Sequence, residues 1–299
     1  MTEEVKDSTN EPIRNSESQL SPELIKDPHS IVIVTPTYYP QWYEGKPQQP
    51  LTSDKLRGDL ALKTLSTALN QGYQIALVDS GSSEEFRHTL ARRGITFKIQ
   101  ERKGLGVARR QALEIAQNLQ GVKVICQIEP EKVSMVTDCL VLASSPILKD
   151  EADIVVPKRT DLGLSTLPPY QAHSEQRANQ IYNQLLRKHH LLGKDDPDID
   201  FWFGTRVFAN RPEIVDLFKK QYKFSPAETA LHKIIQPDAY SNPQFFPVVE
   251  ALHSSLCVKS VEVPYEHPKE QTEFEEGNPE FDRKRDIQRK AIIPSSSIS

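Results

Sequence analysis

The stretch Lys123-Val-Ile-Cys-Gln-Ile-Glu-Pro-Glu-Lys132 predicts a buried strand that ends in a pair of acidic residues. Its apolar run is typical of a strand that is covered on both faces of a sheet. Pro130 cannot donate a hydrogen bond to a neighbouring strand, so the strand is expected to end close to it. Glu129 and Glu131 would then stand at the carboxyl end of the strand, where open α/β sheets bind their ligands.

The chemistry of these two acids is open at this point. If the extended conformation continues to residue 131, Glu129 and Glu131 point the same way. Their oxygen atoms could then bind a hard divalent cation. A solvated turn explains the same spacing equally well, because many strands end in polar residues.

Strand-like and helix-like segments alternate around this stretch. β-Branched runs predict strands, and apolar residues at helical spacing predict helices. In chain order these are strand 31–35, helix 53–72, strand 75–78, helix 84–92, strand 95–99, a helix from about 105, strand 124–128, helix 133–148, strand 153–156, a helix capped by Ser174 and ending at Gly193, and strand 256–263. Right-handed crossovers join such strands into an α/β fold, a mostly parallel central sheet with helices on both faces.

Composition and the chain ends limit the kind of protein. The 299 residues carry a net charge of −4, which does not suggest a nucleic-acid partner. Three widely spaced cysteines favour reduced thiols and a cytoplasmic location over a disulfide framework. No apolar run reaches the roughly 18 residues of a transmembrane segment. The polar stretch 1–28 is predicted to be disordered, 29–268 to form one domain, and 269–299 to be a charged tail.

Two of the predicted loops offer groups that could bind a nucleoside. The loop from Thr35 to Pro40 contains aromatic rings that could stack on a base or fill a hydrophobic core, and the sequence does not decide between the two. Asp79 ends the second strand and is followed by Ser80 and Gly81. An acid there could accept hydrogen bonds from a ribose while the glycine lets the backbone come close. A helix N-cap would explain Asp79 as well.

A third loop, Lys103-Gly-Leu-Gly-Val-Ala-Arg-Arg110, could bind a diphosphate. Gly104 and Gly106 permit close approach of the backbone, and a helix N-terminus attracts anions. Positive charge at Arg109 opposes the helix dipole by about 0.3–1 kcal/mol, which a bound anion would offset. Long cations that simply stay hydrated are the alternative. The spacing is neither a dinucleotide fingerprint nor a Walker A loop.

Taken in order, these motifs resemble those of the GT-A nucleotide-sugar glycosyltransferases, chiefly the family 2-like branch. The resemblance covers roughly residues 30–159 and extends more faintly to about 263. No single motif is specific, and the ordered set carries the likeness. The motifs are Ile31-Val-Ile-Val-Thr-Pro-Thr37, Leu77-Val-Asp-Ser-Gly-Ser82, Gly104-Leu-Gly-Val-Ala-Arg-Arg110, Ile128-Glu-Pro-Glu131 and Ala152-Asp-Ile-Val-Val156.

The resemblance implies a donor site and a metal position. The nucleotide-sugar would lie on residues of the first half, about 29–160, which are Thr35, Pro36, Thr37, Asp79, Gly81, Lys103, Gly104, Gly106, Arg109 and Glu129. Glu131 and Glu129 would stand where the family has its Asp-x-Asp metal ligands. A C-terminal histidine, His267 or else His253, would be a further ligand of Mg²⁺ or Mn²⁺, with a structural role as the alternative. Two glutamates around a proline depart from that pattern, so the resemblance leaves metal dependence open.

The second half, about 161–268, would supply the acceptor side. An acidic loop precedes Phe201-Trp-Phe203, and a hydroxyl acceptor needs both rings to stack on and a carboxylate to take its proton. The resemblance therefore favours Asp200 as the base, with Asp198 behind it. A solvated acidic loop is the alternative.

These inferences predict a glycosyltransferase that moves a hexose from a UDP- or GDP-sugar to a hydroxyl acceptor. A non-catalytic nucleotide-sugar binder or scaffold of the same fold is the main alternative. A sugar-phosphate nucleotidyltransferase is a weaker one, because Thr35-Pro-Thr-Tyr-Tyr39 does not supply the Gly-rich, Arg-containing loop that such an enzyme needs after the first strand.

Overall fold

A computed structural model describes residues 27–222, 246–283 and 286. Most of the predicted N-terminal segment and the end of the predicted tail lie outside the described residues. Pro28–Ser30 form one helical turn ahead of the first strand. Within the predicted tail, Lys269–Glu275 form a helix in which Gln271 and Glu275 are buried.

The strands of the described chain form one seven-stranded sheet. They are β1 Ile31–Thr37, β2 Gln74–Asp79, β3 Lys98–Ile99, β4 Val124–Gln127, β5 Ile154–Arg159, β6 Arg206–Ala209 and β7 Val258–Val263. The order across the sheet is β3-β2-β1-β4-β6-β5-β7. All neighbouring strands are parallel except that β6 runs antiparallel to β4 and β5. The predicted mostly parallel sheet is confirmed.

The helices follow the strands as the crossover pattern requires. They are α1 Ser53–Asn70, α2 Glu84–Arg92, α3 Leu105–Gln117, α4 Leu140–Leu148, α5 Asp161–Ser165, α6 Pro169–Lys188, α7 Pro212–Lys219, α8 Phe246–His253 and α9 Lys269–Glu275. Side chains that begin several of them explain where they start. Thr52 accepts a hydrogen bond from the backbone of Lys55 at α1, and Ser83 accepts one from Phe86 at α2.

Two hydrophobic clusters cover the two faces of the sheet. Val32 and Val34 of β1 belong to the cluster packed under α3, α7 and α8, whereas Ile31 and Ile33 belong to the cluster under α4. This alternation is the two-residue period of a strand buried on both sides. The four residues of β4 are all buried, as the apolar run predicts.

Several predicted boundaries are wrong. The third strand is only Lys98–Ile99, because Ile95 packs instead into the cluster of α1 and α2. The helix predicted for 133–148 has the predicted bounds, but it contains a π-helical turn, Met135–Cys139, before it continues as an α-helix from Leu140. Helix α6 begins at Pro169, not at Ser174, since proline suits the first helical turn. It ends at Lys188, before His190, which has a φ of 58°.

Candidate functional site

The carboxyl ends of β1, β2 and β4 lie side by side at one edge of the sheet. Thr37, the last residue of β1, is in register with Asp79, the last residue of β2. Gln127 ends β4 and pairs with Arg206, the first residue of the antiparallel β6. The loops that follow these strands therefore meet along one edge.

Asp79 holds the β2 loop together from a fully buried position. Its Oδ1 accepts a hydrogen bond from the Thr37 hydroxyl at 3.0 Å. The backbone N–H groups of Gly81 and Ser82 donate to Oδ2 at 3.3 and 3.1 Å. The N-cap of α2 is Ser83, so Asp79 is not the cap of that helix. Its contacts shape the predicted nucleoside loop from inside.

Some aromatic residues of the β1 loop fill the hydrophobic core, and one is exposed where it could stack on a base. Tyr39 and Trp42 are buried and pack edge-on against Phe86, with ring centroids 5.0 and 5.4 Å away. Tyr38 is 62% exposed, and a Cβ built on Gly81 would lie 3.6 Å from its ring. Tyr38 is thus the ring of this loop that a base could reach.

The glycine-rich turn begins α3 at the same edge. Gly104 is the N-cap with a φ of +126°, a conformation that residues with a Cβ rarely adopt. Its carbonyl accepts a hydrogen bond from Gln100 Nε2 at 2.6 Å. Gln111 Oε1 accepts one from the Glu101 backbone at 3.2 Å. Gly106 is buried within the first turn, while Lys103 is exposed.

The charge of Arg109 affects a second arginine, Arg206, which is buried. Burial lowers the pKa of Arg206 to about 10; Asp200 opposes this effect, and the positive charge of Arg109 adds to it. Arg206 donates to the carbonyl groups of Thr205 and Phe201. Two guanidinium groups therefore contribute positive potential near the end of β4.

Glu131 is buried and bound by two neighbours. Its Oε1 accepts a hydrogen bond from the Tyr39 hydroxyl at 2.9 Å and lies 2.8 Å from Arg57 Nε. Burial, together with the charge of Glu131, raises the pKa of Tyr39 well above its usual value. The Glu131 charge also raises the pKa of Arg57.

Glu129 differs from Glu131 in its surroundings. The chain turns after β4, and the Lys132 backbone N–H donates to the Glu129 carbonyl at 3.2 Å. The Glu129 side chain is 50% exposed and lies 3.4 Å from Lys132 Nζ. The predicted extended arrangement, with both carboxylates aligned, does not form. The turn was the other interpretation of the spacing, but it buries Glu131 instead of leaving it solvated.

These positions bear on the predicted metal site. In the part of the chain that the structure describes, no group of three histidine, cysteine or acidic side chains could hold a metal ion. Glu129 and His267 nevertheless line one cavity. Mg²⁺ is often bound through one or two carboxylates together with substrate phosphates, so the Glu129 carboxylate could hold such a cation, with His267 in the lining of the same cavity. Glu131 would first have to leave Arg57 and Tyr39.

The cavity beside this edge has a volume of about 420 Å³. The β4 turn contributes Glu129 and Lys132, α6 contributes Gln171 and Glu175, and α9 contributes Gln271 and Glu275. Further lining residues are Ser53, Arg57, Arg159, Leu167, Trp202, Tyr265, His267, Phe274, Asn278, Glu280 and Phe281. Its size and its mixture of rings, amides and charges suit a small polar ligand.

Lys132 is held in the wall of this cavity. Its ammonium group donates to the Phe203 carbonyl and lies 4.1 Å from the centre of the Phe203 ring. Burial lowers the pKa of Lys132, and the charge of Glu129 opposes that effect. The site thus holds a lysine next to the predicted metal position.

Arg159, Asp200 and Glu175 form a buried ion triad behind the cavity. Arg159 Nε and Nη2 donate to the two Asp200 oxygens at 2.7 and 2.9 Å, and Nη1 donates to Glu175 at 2.7 Å. Asn179 donates to Asp200 at 2.7 Å. Burial raises the pKa of Asp200, but the Arg159 charge and these hydrogen bonds outweigh it, so the pKa is lowered. Such a carboxylate is a weak proton acceptor.

The structure therefore gives the two predicted catalytic acids other partners. Asp200 binds Arg159, which itself lines the cavity. Asp198 is exposed and pairs with Arg187 at 2.7 Å, and it lines a second cavity, of about 260 Å³, together with Asp200 and Arg159. Neither acid lines the cavity of about 420 Å³.

Four further cations of the site were not predicted from the sequence. Arg57, Lys132, Arg159 and Arg206 come from four different elements or turns. Two of them could have been found from their positions. Lys132 directly follows the acidic motif, and Arg159 ends β5. Arg57 and Arg206 have no such signal.

The comparisons with known proteins locate the fold. No protein-family model matches the sequence, and no curated protein matches it either. A solved structure of glucosyl-3-phosphoglycerate synthase from Mycobacterium tuberculosis, in complex with phosphoglyceric acid, is similar to it. The two are 12% identical with a TM-score of 0.50, over 89% of this chain and 82% of that one. A structure of that synthase with Mn²⁺, UDP-glucose and phosphoglyceric acid is also 12% identical, with a TM-score of 0.49, over 90% and 82%.

None of the helices in the described ranges is both long and apolar enough to cross a bilayer. At 12% identity the likeness concerns the path of the chain, not its residues. The expectation that arose from the ordered motifs is confirmed at that level. The chain has the GT-A fold.

Proposed function

We propose that this protein is a glycosyltransferase that moves a hexose from a UDP- or GDP-sugar to a hydroxyl acceptor. One observation carries the proposal: the loops after β1, β2, β3 and β4 meet at one edge of the sheet, and a polar cavity adjoins that edge. A nucleoside diphosphate needs the first feature, and an acceptor needs the second. The shared fold with a glucosyl-3-phosphoglycerate synthase supports the same assignment.

In this proposal the donor binds along the edge. Tyr38 stacks on the base, and the loop shaped by Asp79 holds the ribose. The diphosphate lies against the N-terminal turn of α3, where backbone N–H groups point outward and the helix dipole favours an anion. Positive charge at Arg109 and Arg206 adds to this attraction.

A divalent cation, Mg²⁺ or Mn²⁺, fits as a cofactor at Glu129 and His267. When bound, it would neutralise charge on the leaving diphosphate. The synthase of the same fold has been solved with Mn²⁺ and UDP-glucose. Glu131 keeps Arg57 and Tyr39 in place beside that position.

The transfer exchanges one bond for another. The acceptor hydroxyl oxygen forms a bond to the anomeric carbon of the sugar, and the bond from that carbon to the diphosphate oxygen breaks. The nucleoside diphosphate leaves with the electron pair, and the hydroxyl proton passes to a carboxylate that lines the cavity. Asp200 is tied to Arg159, so we assign it a positioning role: it fixes the guanidinium in the cavity wall.

Replacing Glu129 by alanine tests the proposal. We expect E129A to lower sugar transfer or nucleotide-sugar hydrolysis at least tenfold, because mutation of metal-site groups costs about 10–100-fold. The measurement is release of UDP or GDP from UDP-glucose and GDP-mannose with Mn²⁺ present. E114A, which removes an exposed carboxylate from α3, is the control and should retain full activity. Equal activity in E129A and wild type would contradict the assignment.

A non-catalytic nucleotide-sugar binder is the second candidate. Two observations favour it: Glu131, a predicted metal ligand, forms an ion pair with Arg57, and Asp200, the predicted base, forms one with Arg159. Titration calorimetry with UDP-glucose and GDP-mannose, with and without Mn²⁺, measures binding, and an assay over a panel of acceptors measures turnover. Binding without turnover would support the binder. A nucleotidyltransferase has less support, since Tyr39 and Trp42 of the β1 loop are packed into a hydrophobic cluster.

A further inference from the structure

Two glutamine–glutamate pairs line the cavity from different helices. On α6, Gln171 Nε2 donates to Glu175 Oε1 at 2.8 Å. On α9, Gln271 Nε2 donates to Glu275 Oε1 at the same distance. All four side chains are buried and all four line the cavity. Buried amides and carboxylates are costly to desolvate, so their accumulation at one cavity calls for a polar ligand.

Buried polar atoms without a hydrogen-bond partner among the described residues also occur in the lining, and two of them are Gln171 Oε1 and Trp202 Nε1. The orientation of the Gln171 amide follows from its neighbour: the N–H group must face the Glu175 carboxylate, so the oxygen is the unpaired acceptor. Hydroxyl groups of a ligand can complete both kinds of bonding, because a hydroxyl donates to an acceptor such as Gln171 Oε1 and accepts from a donor such as Trp202 Nε1.

The charges around the cavity do not suit a phosphorylated ligand. The lining arginines already have carboxylate partners: Arg57 pairs with Glu131, and Arg159 pairs with Asp200 and Glu175. Glu275 and Glu280 add further negative charge to the lining. A phosphate dianion here would meet acids and cations that are already neutralised.

We propose that this cavity is the acceptor subsite and that it selects an uncharged polyhydroxylated acceptor, a sugar or a polyol, over a phosphorylated one. The inference rests on the proposed transferase function and names its acceptor class. Hydroxyl groups donate to the carboxylates of Glu175 and Glu275 and complete the bonding of Gln171. The rings of Trp202 and Tyr265 offer apolar faces for the C–H side of a sugar.

Matched acceptor pairs test the selectivity. Glucose is compared with glucose 6-phosphate, and glycerol with glycerol 3-phosphate, each with UDP-glucose and GDP-mannose as donors and the full-length protein. We expect kcat/KM to be at least tenfold higher for the uncharged member of a pair. Preference for the phosphorylated member, or no transfer to either uncharged probe while the donor is hydrolysed, would overturn the inference. If neither donor binds nor is hydrolysed, the proposed function itself fails.

Two variants connect the selectivity to the glutamine–glutamate pairs. Q171A should raise KM for the uncharged acceptor about fivefold or more, with a smaller fall in kcat, because it removes an acceptor group from the subsite. E275Q keeps the shape and removes the charge, so the ratio of kcat/KM for uncharged over phosphorylated acceptors should fall severalfold. The controls are Q184A on the exposed side of α6 and E273Q on the exposed side of α9. An unaltered ratio in E275Q would contradict the proposal even if Q171A folded poorly.

Discussion

Among single residues, Asp200 has contacts that favour a structural role over a catalytic one. Its carboxylate takes two hydrogen bonds from the Arg159 side chain, and the pair is buried. We expect D200N to lower the free energy of unfolding by about 1–3 kcal/mol, because an amide weakens the two charge-assisted hydrogen bonds from Arg159, while Glu175 still neutralises the guanidinium. D198N, at an exposed pair with Arg187, should cost less than about 1 kcal/mol. Urea unfolding at pH 7 measures both values.

The lowered pKa of Asp200 also fixes the sign of a pH dependence. A carboxyl group whose pKa is lower in the folded state contributes its full stabilisation above its unfolded-state pKa, which is near 3.8. That contribution is lost as the pH falls through the folded-state pKa. The unfolding free energy of the wild type should therefore fall more steeply below about pH 4 than that of D200N. Loss of turnover in D200N with wild-type stability and wild-type pH dependence would instead identify Asp200 as the base.

The sequence could identify acids at this scale but not their partners. Asp200 follows an acidic loop, which made it a candidate, whereas its partner Arg159 lies 41 residues earlier. Likewise Glu131 was expected to be available to a cation, and Arg57 and Tyr39 bind it from α1 and the β1 loop. Whether a charged side chain is buried and paired depends on long-range packing, which local spacing does not encode.

At the scale of elements, the N-terminal turn of α3 is the part that the donor hypothesis depends on most. Gly104 has a φ of +126°, so a Cβ there strains the backbone by about 1–3 kcal/mol. We expect G104A to weaken UDP binding about tenfold or more, because the shifted turn no longer presents its N–H groups to the diphosphate. Titration calorimetry with UDP measures the change.

Gly121 offers a matched control for that substitution. It also has a positive φ, +76°, but it precedes β4 and so lies at the opposite edge of the sheet. G121A should lose stability without losing UDP affinity. Equal affinity losses in the two variants would mean that the effect is general strain, and the assignment of the α3 turn to the diphosphate would be wrong.

The elements themselves were predictable where a single local signal dominates. β4 has an apolar run, and α1 has apolar residues at helical spacing and a glycine shortly after its end. Both form close to the predicted bounds. β6 has four buried residues, but its local sequence contains no signal for the direction in which the strand runs. Its antiparallel pairing with β4 and β5 was therefore not predicted. The start of α6 was missed because two prolines ahead of Gln171 were not recognised as its first turn.

At the scale of the whole molecule, the sheet joins the two predicted halves of the domain. β6 comes from the half that begins near residue 161, yet it lies between β4 and β5, which both belong to the first half. Side chains of both halves also share each of the two clusters on the faces of the sheet. Neither half can bury its strands without the other, so the halves should not unfold separately.

We therefore expect one cooperative unfolding transition in scanning calorimetry, with equal calorimetric and van't Hoff enthalpies.

UDP at 100 times its Kd should stabilise the native state by about 2.7 kcal/mol and raise the midpoint of that single transition by roughly 5–10 °C. Uridine at the same concentration is the control, and it should shift the midpoint less because it lacks the diphosphate that the α3 turn attracts. Two transitions, of which UDP moves only one, would mean that the donor half folds independently of β6. In that case the donor site would form without the acceptor half. Any effect of the donor on the cavity would then have to pass through the loops between them.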